Sequence, residues 1–542
     1  MAHDHATTTS RGFHGPRCWV ASAILGLLLG LAWGAALPPA SGAADAVAHD
    51  FRIKETTPAG EVRESLPSGD VIPWSDTPAA SIAPDDGAHA PGHHAAPPIP
   101  LSVCIPFGLL LASIALMPFI SARFWHDHYP DFAFLLGSLV AGYYLGALGG
   151  FGRHALLHAL IEYYSFIALI GGLFVVSGGI LIHVNTRATP LANTLLLAFG
   201  AVLANIVGTT GASMLLIRPF MRMNAGRLRP IHVVLFIFII SNCAGCLTPI
   251  GDPPLYLGYL KGVPFEWTLV HLWPMWALCI GMLLAIFFVI DARIPPAASS
   301  SRSDQYATTE RRAPLTVKGG PAFVCLALMV AGVFIDPLLK KHAGIEGIPV
   351  GATFQLIVAA VAYALANPDI HDENAFSFGP VKEVAMLFVG IFLTMIPALG
   401  YLSANAGELG VETPTQFYFF TGSLSAVLDN APTYLNFGQA ALGLLHLPLN
   451  AEGLDRFIHN DFEVVHASGE VVKFHGMVLL EAISLGAVFF GAMTYIGNGP
   501  NFMVKAISEA AGVRMPSFFG YLARAVLILL PVLVVVWAVF IR

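Results

Sequence analysis

The sequence predicts an all-α polytopic membrane protein built from two inverted-topology repeats, each with a re-entrant hairpin and a broken transmembrane helix. Three observations predict it. Of 542 residues, 56% are hydrophobic and only 11% charged, about half the charged share of soluble domains, and several apolar runs are long enough to cross a hydrocarbon core. Two such runs are interrupted by prolines, glycines and polar residues, GCLTPIGDPPL at 245–255 and GAMTYIGNGPN at 491–501. Upstream of each break lies a second shared motif, AVLAN at 201–205 and AVLDN at 426–430.

At the N-terminus, Arg11 and Arg17 precede an apolar stretch at 20–37 and then PPASGAADA. Residues 1–43 therefore form a cleaved signal or a retained anchor helix. Residues 44–98 are polar and rich in proline and histidine (DDGAHAPGHHAAPP), which predicts a disordered extracytoplasmic tail without compact metal-ligand spacing. The first repeat, 99–291, holds helices near 101–120, 132–150 and 160–182, a hairpin at 190–217, a broken helix at 231–264 and a last helix at 269–291. Basic residues assign the linker 292–318 to the cytoplasm (Arg293, Arg302, Arg311, Arg312, Lys318), together with Arg187 and the run Arg218, Arg222, Arg227 and Arg229. Because 190–217 leaves one cytoplasmic loop and returns to another, it turns back within the bilayer. Its centre, LANIVGTTGAS, suits a tip lining a polar cavity. The second repeat, 319–542, starts from the opposite side. It has apolar spans at 322–339, 384–402 and 519–541, an outward-opening hairpin at 413–447 and a polar loop at 450–473. The net charge of −7 gives no sign of a nucleic-acid partner; the partner is the lipid bilayer.

The breaks carry the chemistry. Pro249, Pro253 and Pro254 remove amide donors and stop the helix, freeing carbonyls and half-helix ends. Asp252 puts a carboxylate there, costing about 2.5–3.5 kcal/mol on insertion scales, and Asp429 is the second such acid. A buried carboxylate that binds either a proton or a cation is the minimum device for coupling. Neutral oxygens of the kind a sodium ion prefers come from Asn205, Thr248 and Thr494. The full candidate binding set adds Thr209, Thr210, Gly251, Asn430, Thr433, Gly497, Asn498 and Asn501. In the alternative reading, Asp252 and Asp429 cap half-helix N-termini. Glu162, Glu383 and Glu481 read as helix-start residues, and Cys243 and Cys246 as small residues at a tight helix contact rather than a redox pair. Enzyme chemistry is not expected: no H-E-x-x-H spacing occurs, and GTTGAS lacks a nearby histidine base. No cofactor is expected beyond a transported sodium or similar cation.

The motifs GTTGASMLLIRPFMRMN, SNCAGCLTPIGDPPLYLGYLKGVPFEWT, LSAVLDNAPTYLNF and GAMTYIGNGPNFMVKAISEAAGVRMPSFFGY resemble the citrate-transport family of bacteria, often labelled sodium:proton antiporters. That family lies within the ion-transporter superfamily, and the resemblance covers roughly residues 100–542. It implies a multi-pass protein of the bacterial cytoplasmic membrane, scaffold and transport subdomains, elevator-type displacement and a homodimer. In related dicarboxylate symporters the hairpin tips carry Ser-Asn-Thr. Here the matching positions read Ala204-Asn205-Ile206 and Asp429-Asn430-Ala431, so only the asparagines carry over. The first expectation is therefore sodium/proton antiport, with Asp252 and Asp429 as the titrating pair. The alternative is citrate or another carboxylate coupled to cations or protons, with an arsenite-type permease as a further possibility.

Overall fold

Glycine and proline set most of the helix boundaries in this computed structural model. It describes residues 17–36, 51–65, 71–73, 99–184, 188–295, 315–345, 347–374, 376–405, 410–466 and 471–542. Arg187, Arg302, Arg311, Arg312 and the histidine-rich stretch 85–98 lie outside the described residues. Helix α1 spans Arg17–Ala36, and the short antiparallel strands β1 (Phe51–Thr56), β2 (Val62–Ser65) and β3 (Val71–Pro73) follow. After a 3-10 turn come α2 (Ile105–Ile120), α3 (Ala122–Ala147) and α4 (Gly149–Gly178). Ser121 caps α3 by accepting from the Phe124 amide, so this helix starts ten residues before the apolar run at 132–150. Gly149, with φ of 52°, separates α3 from α4; α4 therefore starts well before 160, and Glu162 lies in mid-helix rather than at a helix start.

Strand β4 (Leu181–Val184) leads to α5 (Pro190–Met223), α6 (Pro230–Ile239), α7 (Pro253–Lys261) and α8 (Trp267–Ala292). The end of the linker forms β5 (Leu315–Lys318), paired with β4. The expected span at 322–339 divides into α9 (Gly320–Gly332) and α10 (Ile335–Ala343). Asp336, in the first turn of α10, instead accepts the Gly351 amide at 2.8 Å, where α11 (Val350–Leu365) begins. Then follow α12 (Pro368–Glu373), α13 (Gly379–Asn405), α14 (Pro414–Val427), α15 (Asn430–Leu444), α16 (Ala451–His459), β6 (Asp461–His466), β7 (Val471–His475), α17 (Gly476–Phe490), α18 (Gly499–Ala510), α19 (Phe518–Arg524) and α20 (Leu530–Phe540). Among the described residues, eight helical segments are long and apolar enough to cross a membrane, which makes this a multi-pass membrane protein.

The chain divides into two compact units. The first holds α1, α2, α3, the start of α4 and the middle of α13, around a core of Val103, Val140, Tyr143, Tyr144 and Leu156. In it, Gly26 and Gly30 of α1 lie against α3 so closely that a Cβ on Gly30 would sit 2.0 Å from the Leu139 carbonyl oxygen. The Trp33 and Tyr143 rings pack tilted with centroids 5.4 Å apart, and Ser22 donates to Asp131 at 3.3 Å. Such contacts are those of a packed helix.

The second unit holds the remaining helices and a five-stranded antiparallel sheet in the order β3-β2-β1-β6-β7. The sheet corrects two expectations, since 51–56, 62–65 and 71–73 are strands rather than disordered chain, and the polar loop at 450–473 contains a helix, the strand β6 and the start of β7. Its period of two is legible only in pairs: Ile53 opposite Val464 and Glu55 opposite Phe462 are all buried, while Lys54 opposite Glu463 faces outward. Buried Glu55 accepts from Arg456 at 2.6 and 3.0 Å and from Asn460.

Candidate functional site

Two local devices bring the polar residues together in the second unit. The first is the hairpin. Helix α5 reverses at Gly208, whose φ of 76° and ψ of 156° suit glycine. Past the reversal the arms lie side by side: a Cβ on Gly200 would sit 2.8 Å from a Leu216 methyl. At the open end the amides of Asn193 and Asn224 donate to one another, each at 2.8 Å. A straight helix would hold those two residues about 46 Å apart. The hairpin of the second half consists of α14 and α15, turning at Leu428 and Asp429.

The second device is the break. After α6 a 3-10 turn, Cys243–Leu247, carries both cysteines buried and unbridged, and the chain then folds back so that Gly251 abuts Gly245. A Cβ on Gly251 would sit 2.2 Å from the Gly245 oxygen, and one on Gly497 would sit 2.6 Å from the Gly491 oxygen, so both breaks cross themselves at a glycine pair. Each break is fastened to the hairpin of its own half by a threonine. Thr248 donates to the Asn205 carbonyl at 2.6 Å and accepts from the Gly251 amide at 3.1 Å. Thr494 donates to the Ala426 carbonyl at 2.5 Å and accepts from the Gly497 amide at 3.2 Å. Asn205 adds a side-chain bond to the Leu247 amide, and the Thr209 amide donates to the Gly251 carbonyl at 2.8 Å.

Asp252 stands where these pieces meet. Its carboxylate is fully buried and takes three donors from three elements: Thr209 Oγ1 at 3.0 Å, Asn498 Nδ2 at 3.0 Å and Asn430 Nδ2 at 2.7 Å. No Lys, Arg or His side chain among the described residues pairs with it. It occupies the N-cap position of α7, yet its side chain caps none of that helix's amides. Asp429, partly exposed, does cap: Oδ1 accepts the Ala431 amide at 3.1 Å at the start of α15. The capping alternative thus holds for Asp429 and fails for Asp252. Asn498 is the N-cap of α18, so the positive ends of α7, α15 and α18 all lie at this cluster.

The remaining candidates divide. Asn501 donates to the Gly491 and Thr494 carbonyls at 2.8 and 2.9 Å and holds the second break closed. Thr433 donates to its own helix at the Asp429 carbonyl, and Thr210 makes no bond to the cluster. Sequence reasoning missed Asn242, which donates to Asn501 Oδ1 at 2.6 Å and ties one break to the other. Its signal was present in IISNCAG, a polar pair just before the break. The buried oxygens Asn242 Oδ1 and Asn430 Oδ1 have no hydrogen-bond donor among the described residues, so this cluster is rich in acceptors.

A second buried network went unread because its arginine was counted only as a loop charge. At the open end of the first hairpin, Asp291 accepts from Arg227 Nη2 at 2.6 Å, His232 Nε2 at 2.8 Å and Asn193 Nδ2 at 2.8 Å. His232 Nδ1 accepts the Arg229 amide at 3.0 Å, so the ring's proton sits on Nε2. This clamps α5 to the start of α6 and the end of α8.

Compared with known families, residues 96–541 match the family model described as "putative citrate transport". No curated protein matches the chain.

Proposed function

The chain belongs to the putative citrate transport family, a transporter family of the ion-transporter superfamily, and on that premise we propose that it carries a citrate-class carboxylate across the bilayer with Asp252 as the coupling group. One observation carries the role of Asp252: a buried carboxylate held by three neutral donors and no counter-charge. Such a group is stable neutral or beside a bound cation, and costly ionised and alone. Binding a proton or a monovalent cation therefore changes the charge of the cluster by one. The ends of α7, α15 and α18 supply partial positive charge for the carboxylate cargo, in place of the arginines and lysines that the core motifs lack.

Alternating access follows from reading the two hairpin-and-break sets as inverted repeats. In support, Asn224 of the first hairpin lies just before α6, whereas Gly262, just past α7, abuts Ala451, just past the second hairpin. The two hairpins thus open toward opposite ends of one broken helix.

Sodium/proton antiport is the second reading, favoured by the absence of any cationic side chain bonded to the cluster among the described residues. Proteoliposomes under a preset pH gradient separate the two. Carboxylate transport predicts saturable uptake and counterflow of radiolabelled citrate. Collapse of the gradient by sodium alone, with no citrate uptake, establishes antiport instead.

A further inference from the structure

Four carboxyl side chains are buried among the described residues: Glu55, Asp252, Asp291 and Glu481. The first three are satisfied, Glu55 by Arg456 and Asn460, Asp252 by its three donors, and Asp291 by Arg227, His232 and Asn193. Glu481 is different. It is 8% exposed and, among the described residues, has neither a hydrogen bond nor an ion pair. It is not a helix-start residue in the capping sense either: it is the sixth residue of α17, about 7–8 Å along from Gly476 and about 15 Å short of the break at Gly491.

The elements packed against α17 bring no charge to it. They are α7, α8, α14, α15, α16, β7 and the 3-10 turns of the breaks. Lys261, His271, Asp291, Glu452, Asp455, Arg456, His459, Lys473 and His475 lie on those elements, with Tyr256, Tyr259, Tyr418, Tyr434 and the buried cysteines, and none of them is bonded to Glu481. What does continue from it is a row of hydroxyls. Ser484, one turn further along the same face, is fully buried with no well-formed hydrogen bond. The Tyr434 hydroxyl lies beside Ser484. Tyr434 is one turn beyond Asn430, which donates to Asp252. Buried polar groups left unsatisfied by protein atoms are ordinarily met by water.

We propose that Glu481 is a proton-binding station on the route between the β7 side of the protein and the Asp252 cluster, relayed through Ser484 and Tyr434. The inference rests on the proton-coupled form of the transport reading above. Each step moves one proton between the carboxyl, a hydroxyl and water, with no other reactant.

The test uses the full chain in proteoliposomes and reads two modes. Uptake of radiolabelled citrate driven by a pH gradient requires net proton movement; citrate counterflow at equal pH does not. For E481Q we expect gradient-driven uptake to fall about tenfold or more and its pH profile to flatten, with counterflow changed less than about twofold. E481D, which keeps a carboxyl, restores most of the driven uptake, and S484A lowers it partway. Wild-type driven uptake in E481Q overturns the proposal. So does equal loss of both modes in E481Q and E481D, which marks a structural role. Wild-type protein that shows counterflow but no response to a pH gradient refutes proton coupling itself, and the station with it; a failure confined to E481Q leaves the coupling reading standing.

Discussion

Asp252 lies in the broken helix of the first half and Asp429 in the hairpin of the second, each opposite a neutral residue in the other half, and their hydrogen bonds separate them. Asn430 Oδ1 has no donor among the described residues, so its amide can turn over and accept a hydrogen bond from an amide placed at position 252. D252N is therefore expected to stay folded, with a melting temperature close to wild type, while coupled uptake falls about tenfold or more. D252A strands three buried donors at once and should cost about 3 kcal/mol or more, read as a clear drop in melting temperature. A D252N protein that transports normally would remove the aspartate from the mechanism. Asp429 should behave as a cap: D429N changes stability by only a few tenths of a kcal/mol, whereas D429A costs about 1 kcal/mol. The sequence could locate these acids but could not say which one capped, because the three donors to Asp252 come from positions 209, 430 and 498.

The hairpins and breaks were largely legible as elements because their signals are local: a glycine at the first reversal and a helix-capping aspartate at the second, prolines at the restart, and one threonine per break. Gly208 offers the most direct test of these signals. An alanine there must adopt a conformation that costs about 1–3 kcal/mol, and its Cβ would also meet the Ile250 oxygen at 3.2 Å. G208A should therefore lower the melting temperature and disturb the approach of Thr209 to Asp252; an unchanged protein would show the tip to be tolerant of remodelling. The clamp at Asp291 was not legible, since Arg227, His232 and Asp291 sit on three elements with nothing between them to signal contact. D291N leaves Arg227 buried without its charge partner and is expected to cost about 3–5 kcal/mol, measured by thermal unfolding in detergent. Loss of citrate uptake without loss of stability would be the opposite result.

Across the whole chain, membrane character and the repeated motifs emerged from composition and recurrence, whereas the sheet did not. Helical periodicity is complete within one segment, but the alternation in FRIKET acquires meaning only beside DFEVVH. The pairing fastens the strand at 51–56 to the strand at 461–466. A cysteine pair at Lys54 and Glu463, which are register partners, should form a disulfide on mild oxidation, read as loss of both thiols to a maleimide label. Thiols that stay free under oxidation would rule out the sheet. The same pairing imposes an order on biogenesis. Glu55 and Arg456 are 401 positions apart, so at about 5–20 residues per second the strand leaves the ribosome roughly 20–80 s before its partner exists. For that interval β1 and β2 present an unpaired edge, open to aggregation or to capture by a chaperone, and closing the sheet becomes one of the last steps in maturation.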